Sequence, residues 1–243
     1  MATFNSAERL EPCLESISRL IPVKRLIVVD RFSNDGTPEI ARRYGAEVHS
    51  LEAGIGAARL LALRLAATDR VLFVDSDVEI VRQDFFSVAA RLFEIPRTGA
   101  VVGCAVDHRF FFGLPLGLTL VSRDWGLSAG MALEAQGAET IAFRRAIRRG
   151  SLKVRYVPDA MRHYGTFRRV PTWPEWQGAQ TRLVAGWSPY ELTYSLMVIL
   201  LIHMNSRSPR NMLYTPIFYA KFVHGFLNPE RWRVLDRRIE SEE

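Results

Sequence analysis

The chain has 243 residues, 48% of them hydrophobic and 24% charged, with a formal net charge of +6. That size and apolar content allow one large domain, or a domain with an extension, around a sizeable core, and they exclude a disordered chain. The charge is uneven: residues 1–143 hold 15 Lys+Arg against 18 Asp+Glu, a net of −3, whereas residues 144–243 hold 17 against 8, a net of +9.

The opening Met1-Ala2-Thr3-Phe4-Asn5 has neither the basic nor the apolar stretch of a secretory signal. Only Ala2 to Asn5 precede a helical pattern that begins near Ala7, so the opening strand of a parallel sheet is almost missing. Either the start lies upstream or that strand is trimmed. A helix pattern over Leu10 to Leu20 follows, then a buried strand over Arg25 to Asp30. Thr37 reads as an N-cap with Pro38 at the first helical position, opening a helix to Tyr44. Ala46 to His49 is a weaker strand, Ala57 to Ala67 a helix and Arg70 to Asp75 a strand. Phe85 to Phe93 is a further helix and Gly99 to Ala105 a further strand. Cys13 and Cys104 match no metal or redox spacing and read as free thiols in a reducing compartment. No internal repeat or low-complexity linker interrupts the chain.

Strands alternating with helices at this spacing predict an α/β fold, a doubly wound and mostly parallel Rossmann-like sheet with helices on both faces. Ligands of such sheets bind beyond the carboxyl ends of the strands. Thr3-Phe4-Asn5, Asp30 and Asp75-Ser76-Asp77 all fall at such ends. A single strand-end aspartate also serves as a helix cap or turn former. Asp75 and Asp77, however, put two mutually repelling carboxylates at the end of one apolar run, Val71-Leu72-Phe73-Val74. A shared divalent cation would relieve that repulsion.

Four segments then agree in order and spacing with one known family. Thr3-Phe4-Asn5-Ser6-Ala7 with Leu10 and Cys13-Leu14 resembles the opening loop of family 2 glycosyltransferases. Val28-Val29-Asp30-Arg31-Phe32-Ser33-Asn34-Asp35-Gly36-Thr37 resembles the V-V-D-x-x-S-x-D-G-T segment of that family. Gly54-Ile55-Gly56-Ala57-Ala58-Arg59 resembles its G-x-x-x-A-R segment, and Asp75-Ser76-Asp77 its D-x-D. More loosely, Gly137-Ala138-Glu139-Thr140, Arg145, Gly150, Tyr156-Val157-Pro158-Asp159-Ala160 and His163 are similar to the E-D-T…R…G…Y-x-P-D-A…H stretch. Here Ala138 stands where glutamate is usual and Glu139 where aspartate is usual. Residues 106–136 and the chain after 170 show no motif of that family from which a residue role can be carried over.

The resemblance implies a GT-A fold and inverting transfer of a sugar from a nucleotide sugar, with Mg²⁺ or Mn²⁺ as Lewis acid for the departing diphosphate. It implies Asp77 as metal ligand, with Asp75 on the metal or the ribose. Thr3, Asn5, Asp30 and Asp35 would bind base and ribose, and Arg59 would pair with Asp30 or lie against the base. Asp35-Gly36-Thr37 is equally a turn and a cap. Glu139 is the expected catalytic base; it would also suit a helix N-terminus, and Glu134 and Asp124 are the spare candidates. His163 is a further metal ligand or phosphate contact, or a structural histidine. Related readings are a sugar-phosphate nucleotidyltransferase, whose glycine-rich basic loop after the first strand is missing here, and a non-catalytic sugar-nucleotide-binding or membrane scaffold protein.

The predicted organisation is a nucleotide-sugar-binding catalytic domain over residues 1–170 and a helical, basic extension over residues 171–243. Leu192 to Met204 is apolar but too short to span a bilayer, and Met212 to Leu227 is a second apolar–aromatic stretch. Arg207, Arg210, Arg231, Arg233, Arg237 and Arg238 surround them. Such segments suit an anionic membrane surface on the cytoplasmic face, with a glycan or lipid-linked acceptor. They equally suit helices that pack on the catalytic domain or on a second copy in a homodimer. Phe110-Phe111-Phe112-Gly113-Leu114-Pro115 joins that apolar surface or forms an acceptor loop. No nucleic-acid-binding module is recognisable.

Overall fold

The computed structural model describes residues 1–129, 139–164, 172–206 and 209–232, leaving aside the side chains of Glu139, Pro209 and Asn211. Eight strands and nine α-helices run along the described residues. β1 (Ala2–Thr3), β2 (Ile27–Asp30) and β3 (Glu47–Ser50) form a parallel sheet in the order β1-β2-β3. A second sheet has the order β4-β7-β6-β8-β5 and is mixed. Its strands are β4 (Arg70–Val74), β5 (Val78–Ile80), β6 (Thr98–Ala105), β7 (Leu118–Ser122) and β8 (Lys153–His163). Only β6–β8 is parallel there; β4–β7, β6–β7 and β5–β8 are antiparallel. The parallel character is therefore concentrated in the first sheet, and the second brings the chain back through strands from residues 118–163.

The local reasons are visible in the sequence. All four residues of β2 are buried, as a strand covered on both faces requires. α1 (Ala7–Leu20) buries Leu10, Cys13, Leu14 and Ile17, a helical stripe at spacings of three and four. These pack with Val28, Val74, Val78, Ile80, Phe85 and Leu118 in the largest core cluster. α2 (Thr37–Arg43) starts one residue earlier than its pattern predicts: its N-cap is Gly36, left-handed at φ 91°, where glycine carries no steric penalty. Thr37 instead donates its hydroxyl to Asp35 and accepts the Ser6 N–H. β1 is only two residues long, as the short opening implies. α3 (Ile55–Leu65) and α4 (Phe85–Glu94) complete this half, and both free cysteines are buried.

After β7 come α5 (Arg123–Ser128) and α6 (Glu139–Arg149), and then the helical extension. The extension consists of α7 (Trp173–Ala185), α8 (Pro189–Asn205), α9 (Pro209–Leu227) and a short 3₁₀ turn over Pro229–Trp232. α7 and α9 cross at backbone contact. A Cβ added at Gly178 would collide with the Phe222 carbonyl, and one at Gly225 with the Glu175 carbonyl. One side of α9 thus packs tightly, while Leu213, Tyr214, Ile217 and Leu227 stay exposed, Leu213 at 78%. Among the described residues, no helix is long and apolar enough to cross a membrane. Arg207, Arg233, Arg237, Arg238 and Glu134 lie outside the described residues.

Candidate active site

Three loops meet at the carboxyl ends of β1, β2 and β4. β1 pairs in register with β2, Thr3 beside Asp30, so the residues leaving both strands emerge together. The Asp30 carboxylate, only 1% exposed, accepts the Thr3 hydroxyl (2.8 Å), the Ser33 N–H (2.7 Å) and the Ser33 hydroxyl (2.6 Å). Ser33 Oγ in turn accepts the Asn5 N–H at 2.8 Å, and Asn5 Oδ1 accepts the Asn34 N–H at 3.2 Å. Asp35 ties the same loops from the outside: Oδ2 accepts the Ala7 N–H (2.9 Å), and Oδ1 the Thr37 N–H (3.0 Å) and hydroxyl (2.6 Å). Burial pushes the Asp35 carboxyl up, but these bonds outweigh it and hold its pKa below the ordinary value. Asn5 and Phe32 have positive φ (43° and 55°), so the backbone in both loops is held in the left-handed region. Thr3, Asn5, Asp30 and Asp35 therefore form one interlocked pair of loops, with Asp30 beneath it and Asn5 and Asp35 on its exposed surface.

β4 ends at Val74, and Asp75-Ser76-Asp77 turns directly into β5, the Val78 N–H closing on the Asp75 carbonyl at 3.2 Å. The two aspartates thus begin no helix; they sit in a strand-to-strand turn. Pairing of β5 with β8 sets Val78 opposite His163, which brings the last residue of β8 beside Asp77. His163 Nε2 lies 3.4 Å from Asp77 Oδ1, and the Tyr164 N–H donates to the Asp77 carbonyl at 2.8 Å. One ligand atom each from Asp75, Asp77 and His163 lies within 4.8 Å of the others. Two carboxylates and an imidazole fit a divalent cation: the oxygens suit Mg²⁺ or Mn²⁺, and the nitrogen favours the transition ion.

Arg59 was expected to pair with Asp30 or to lie against a base. It pairs instead with Asp75, its side chain 6% exposed against 31% for the carboxylate. α3 carries it under the turn, where a guanidinium is stable only beside a carboxylate. Cys13 lies on the same inner side, its thiol 3.3 Å from the Asp75 carbonyl, and burial pushes that thiol up to about 12. It stays protonated at neutral pH. Ser6 and Ser76, which the sequence reading did not single out, join the first loop to the aspartate turn by a 3.0 Å hydroxyl pair. Gly117 was also missed. Its carbonyl accepts the Asp75 N–H at 2.9 Å, and a Cβ there would stand 3.2 Å from Asp75 Oδ2. A serine between the two aspartates was the available clue for Ser76; nothing local marks Gly117.

Glu139 opens α6, and its side chain lies outside those described. The helix is seated by Phe143, whose ring meets Phe73, two residues before Asp75, at 6.1 Å between centroids. Asp124 is in the first turn of α5 and its side chain is 91% exposed beside Arg123.

A sequence model described as glycosyl transferase family 2 matches residues 1–155. The chain belongs to that family and is a glycosyltransferase. A search of curated proteins finds no match. The fold is similar to that of a mannosyltransferase from Pyrobaculum calidifontis, solved with GDP-Man and Mn²⁺: TM-score 0.69, 15% identity, covering 94% of this chain and 85% of that one. That coverage takes in the helical extension. Glucosyl-3-phosphoglycerate synthase from Mycobacterium tuberculosis, solved with Mn²⁺, UDP and phosphoglyceric acid, has a TM-score of 0.60 and 21% identity, covering 77% of each chain. Mannosyl-3-phosphoglycerate synthase from Rubrobacter xylanophilus has a TM-score of 0.55 and 18% identity, covering 76% of this chain and 71% of that one.

Proposed function

We propose that this glycosyltransferase moves a sugar, with inversion, from a nucleoside-diphosphate sugar to an acceptor hydroxyl or lipid phosphate. The observation that carries the reading is the Asp75–Asp77–His163 cluster beside the loops after β1 and β2 in a family 2 chain. The similar folds solved with GDP-Man, UDP and Mn²⁺ support it. A Mg²⁺ or Mn²⁺ held by these residues supplies Lewis-acid stabilisation of the departing diphosphate. Thr3, Asn5, Asp30 and Asp35 shape the nucleotide site: Asn5 and Asp35 face the ligand, and Thr3 and Asp30 fix the loop from below. Arg59 offsets the charge of Asp75 from the inner side. Glu139 takes the proton of the acceptor hydroxyl as its oxygen bonds to the anomeric carbon. The bond from that carbon to the phosphate oxygen breaks on the opposite face, and its electron pair leaves with the diphosphate. Family membership sets the nucleotidyltransferase reading aside.

The extension favours a peripheral position on the cytoplasmic membrane face and a lipid-linked acceptor. Residues 192–229 contain no Asp or Glu but do contain Arg207, Arg210 and Lys221. The exposed face of α9 carries Leu213, Tyr214 and Ile217. An apolar face with basic flanks and no acidic residue complements an anionic lipid surface. Packing of this face in a homodimer is the competing reading.

The deciding experiment is a thermal-shift screen of UDP-, GDP- and other nucleotide sugars with and without Mn²⁺, followed by transfer assays on the hits. A ligand that binds the native state raises its melting temperature. Metal-dependent stabilisation by one nucleotide series, followed by transfer, is expected. Stabilisation without transfer or hydrolysis would leave a non-catalytic binding protein, and no stabilisation by any member would remove the donor assignment.

A further inference from the structure

Loop 106–117, between β6 and β7, borders the cluster at both ends. Val106 N–H donates to the Met161 carbonyl at 2.9 Å, two residues before His163, and Gly117 carries the carbonyl that receives the Asp75 N–H. The loops after β1 and β2 are bonded to one another and, through Ser6 and Ser76, to the aspartate turn. Inversion needs the acceptor on the face opposite the departing nucleotide. With those two loops given to the donor, loop 106–117 and α6 are left for the acceptor.

Both of these pieces are held by α8. Asn205, its last residue, uses both ends of its amide on one stretch of loop backbone. Its Oδ1 accepts the N–H groups of Arg109 (3.0 Å) and Phe110 (3.1 Å), and its Nδ2 donates to the Phe110 carbonyl (3.1 Å). A flipped amide would set NH₂ against two N–H donors, so the network fixes its orientation. About four turns earlier, Glu191, 2% exposed, pairs with Arg144 of α6. The same guanidinium lies 3.8 Å from the ring centroid of Tyr194, one turn of α8 further on. Tyr194 also faces Gly113, where an added Cβ would lie 3.4 Å from its hydroxyl. The Gly113 carbonyl is fixed from the other side by the Tyr156 hydroxyl at 2.8 Å.

We propose that α8 positions the acceptor half of the site, setting loop 106–117 through Asn205 and α6 through Glu191. The proposal rests on the transferase reading above. The geometry distinguishes it from simple packing. The Asn205 bonds go to the backbone of a single loop and add nothing to the helix that bears them. A buried ion pair such as Glu191–Arg144 contributes little net stability compared with apolar packing, so its effect lies in fixing how α8 and α6 meet.

The test uses the full chain, an acceptor that the wild type glycosylates from a panel of alkyl phosphates and oligosaccharides, and the variants Asn205→Ala, Asn205→Asp and Glu191→Gln. Asn205→Ala should raise the acceptor KM about tenfold, the scale of losing one or two net hydrogen bonds. The donor KM and the Mn²⁺-dependent affinity for UDP or GDP should stay within about twofold. Asn205→Asp keeps both accepted bonds but sets a carboxylate oxygen against the Phe110 carbonyl, so it should recover only part of the loss. Glu191→Gln should lower kcat with donor affinity kept. Hydrogen exchange should show the Arg109 and Phe110 amides deprotected in Asn205→Ala, with those of Ala7 and Thr37 unchanged. An unchanged acceptor KM in Asn205→Ala, or parallel loss of donor and acceptor affinity, overturns the positioning role. A wild-type chain that binds no nucleotide sugar overturns the transferase reading, and this role with it.

Discussion

The guanidinium of Arg59 pairs with the carboxylate of Asp75 from beneath the turn that also carries Asp77. One of the two carboxylates at the cluster therefore has a permanent counter-charge, and the other has His163. Replacing Arg59 with Met leaves Asp75 without that partner and is expected to cost about 2 kcal/mol, below the figure for a fully buried pair because Asp75 is partly solvated. Saturating Mn²⁺ should recover part of this. Denaturant melts of R59M with and without Mn²⁺ would measure it, and an identical loss in both would disprove a shared charge balance.

Asp77→Ala removes a carboxylate from a half-buried turn outside the hydrophobic core, so the fold should survive. Transfer should fall at least about 100-fold, on the scale of lost electrostatic stabilisation of a transition state. The Mn²⁺-dependent thermal shift should vanish as well. Near-wild-type transfer by D77A in excess Mn²⁺ would show that the cation is held elsewhere.

Glu139→Gln keeps the side-chain size but cannot accept a proton at neutral pH. Turnover should drop about 100-fold or more, within the range of general-base catalysis, while calorimetric donor affinity stays. Loss of donor binding would place Glu139 in the donor site instead.

Asp35 links α1, α2 and the loop between β2 and α2, and its folded-state pKa is depressed. Its contribution is therefore complete above the unfolded value of about 3.9 and is lost as pH falls through the lower folded value. Asp35→Asn would set an NH₂ or an uncharged oxygen against N–H groups that now meet a carboxylate. The stability difference between wild type and D35N should be largest near neutral pH and should shrink below about pH 4. A gap that stays constant through the acid limb would argue against it.

The exposed apolar face of α9 should bring the intact chain down with anionic liposomes at low salt, and less at high salt, because screening shortens the reach of the charges. Leu213→Asp together with Ile217→Asp should abolish this without touching the packed side of α9. Dimerisation in solution without liposome binding would assign the face to a second copy.

Residue order alone determined a good deal. The alternation of apolar strands with amphipathic helices set α1 to α4 and β2, β4 and β6 within a few residues, because their periodicities are local. It also placed Thr3, Asn5, Asp30, Asp75 and Asp77 at strand ends, since a strand's direction follows from chain order. The N-cap of α2 moved by one residue because the left-handed Gly36 frees Thr37 to bind Asp35. Only the tertiary structure could decide the rest. β5 has only three residues and most of β8 is exposed or half-exposed, so both depend on their neighbours for hydrogen bonds. The approach of His163 to Asp77 is a consequence of β5–β8 register across more than eighty residues. Arg59 could have met either Asp30 or Asp75, and the path of α3 beneath the turn selected Asp75. Nor does anything near Asn205 in the sequence point to Phe110, because a side-chain amide reads backbone that only the docking of α8 brings within 3.1 Å.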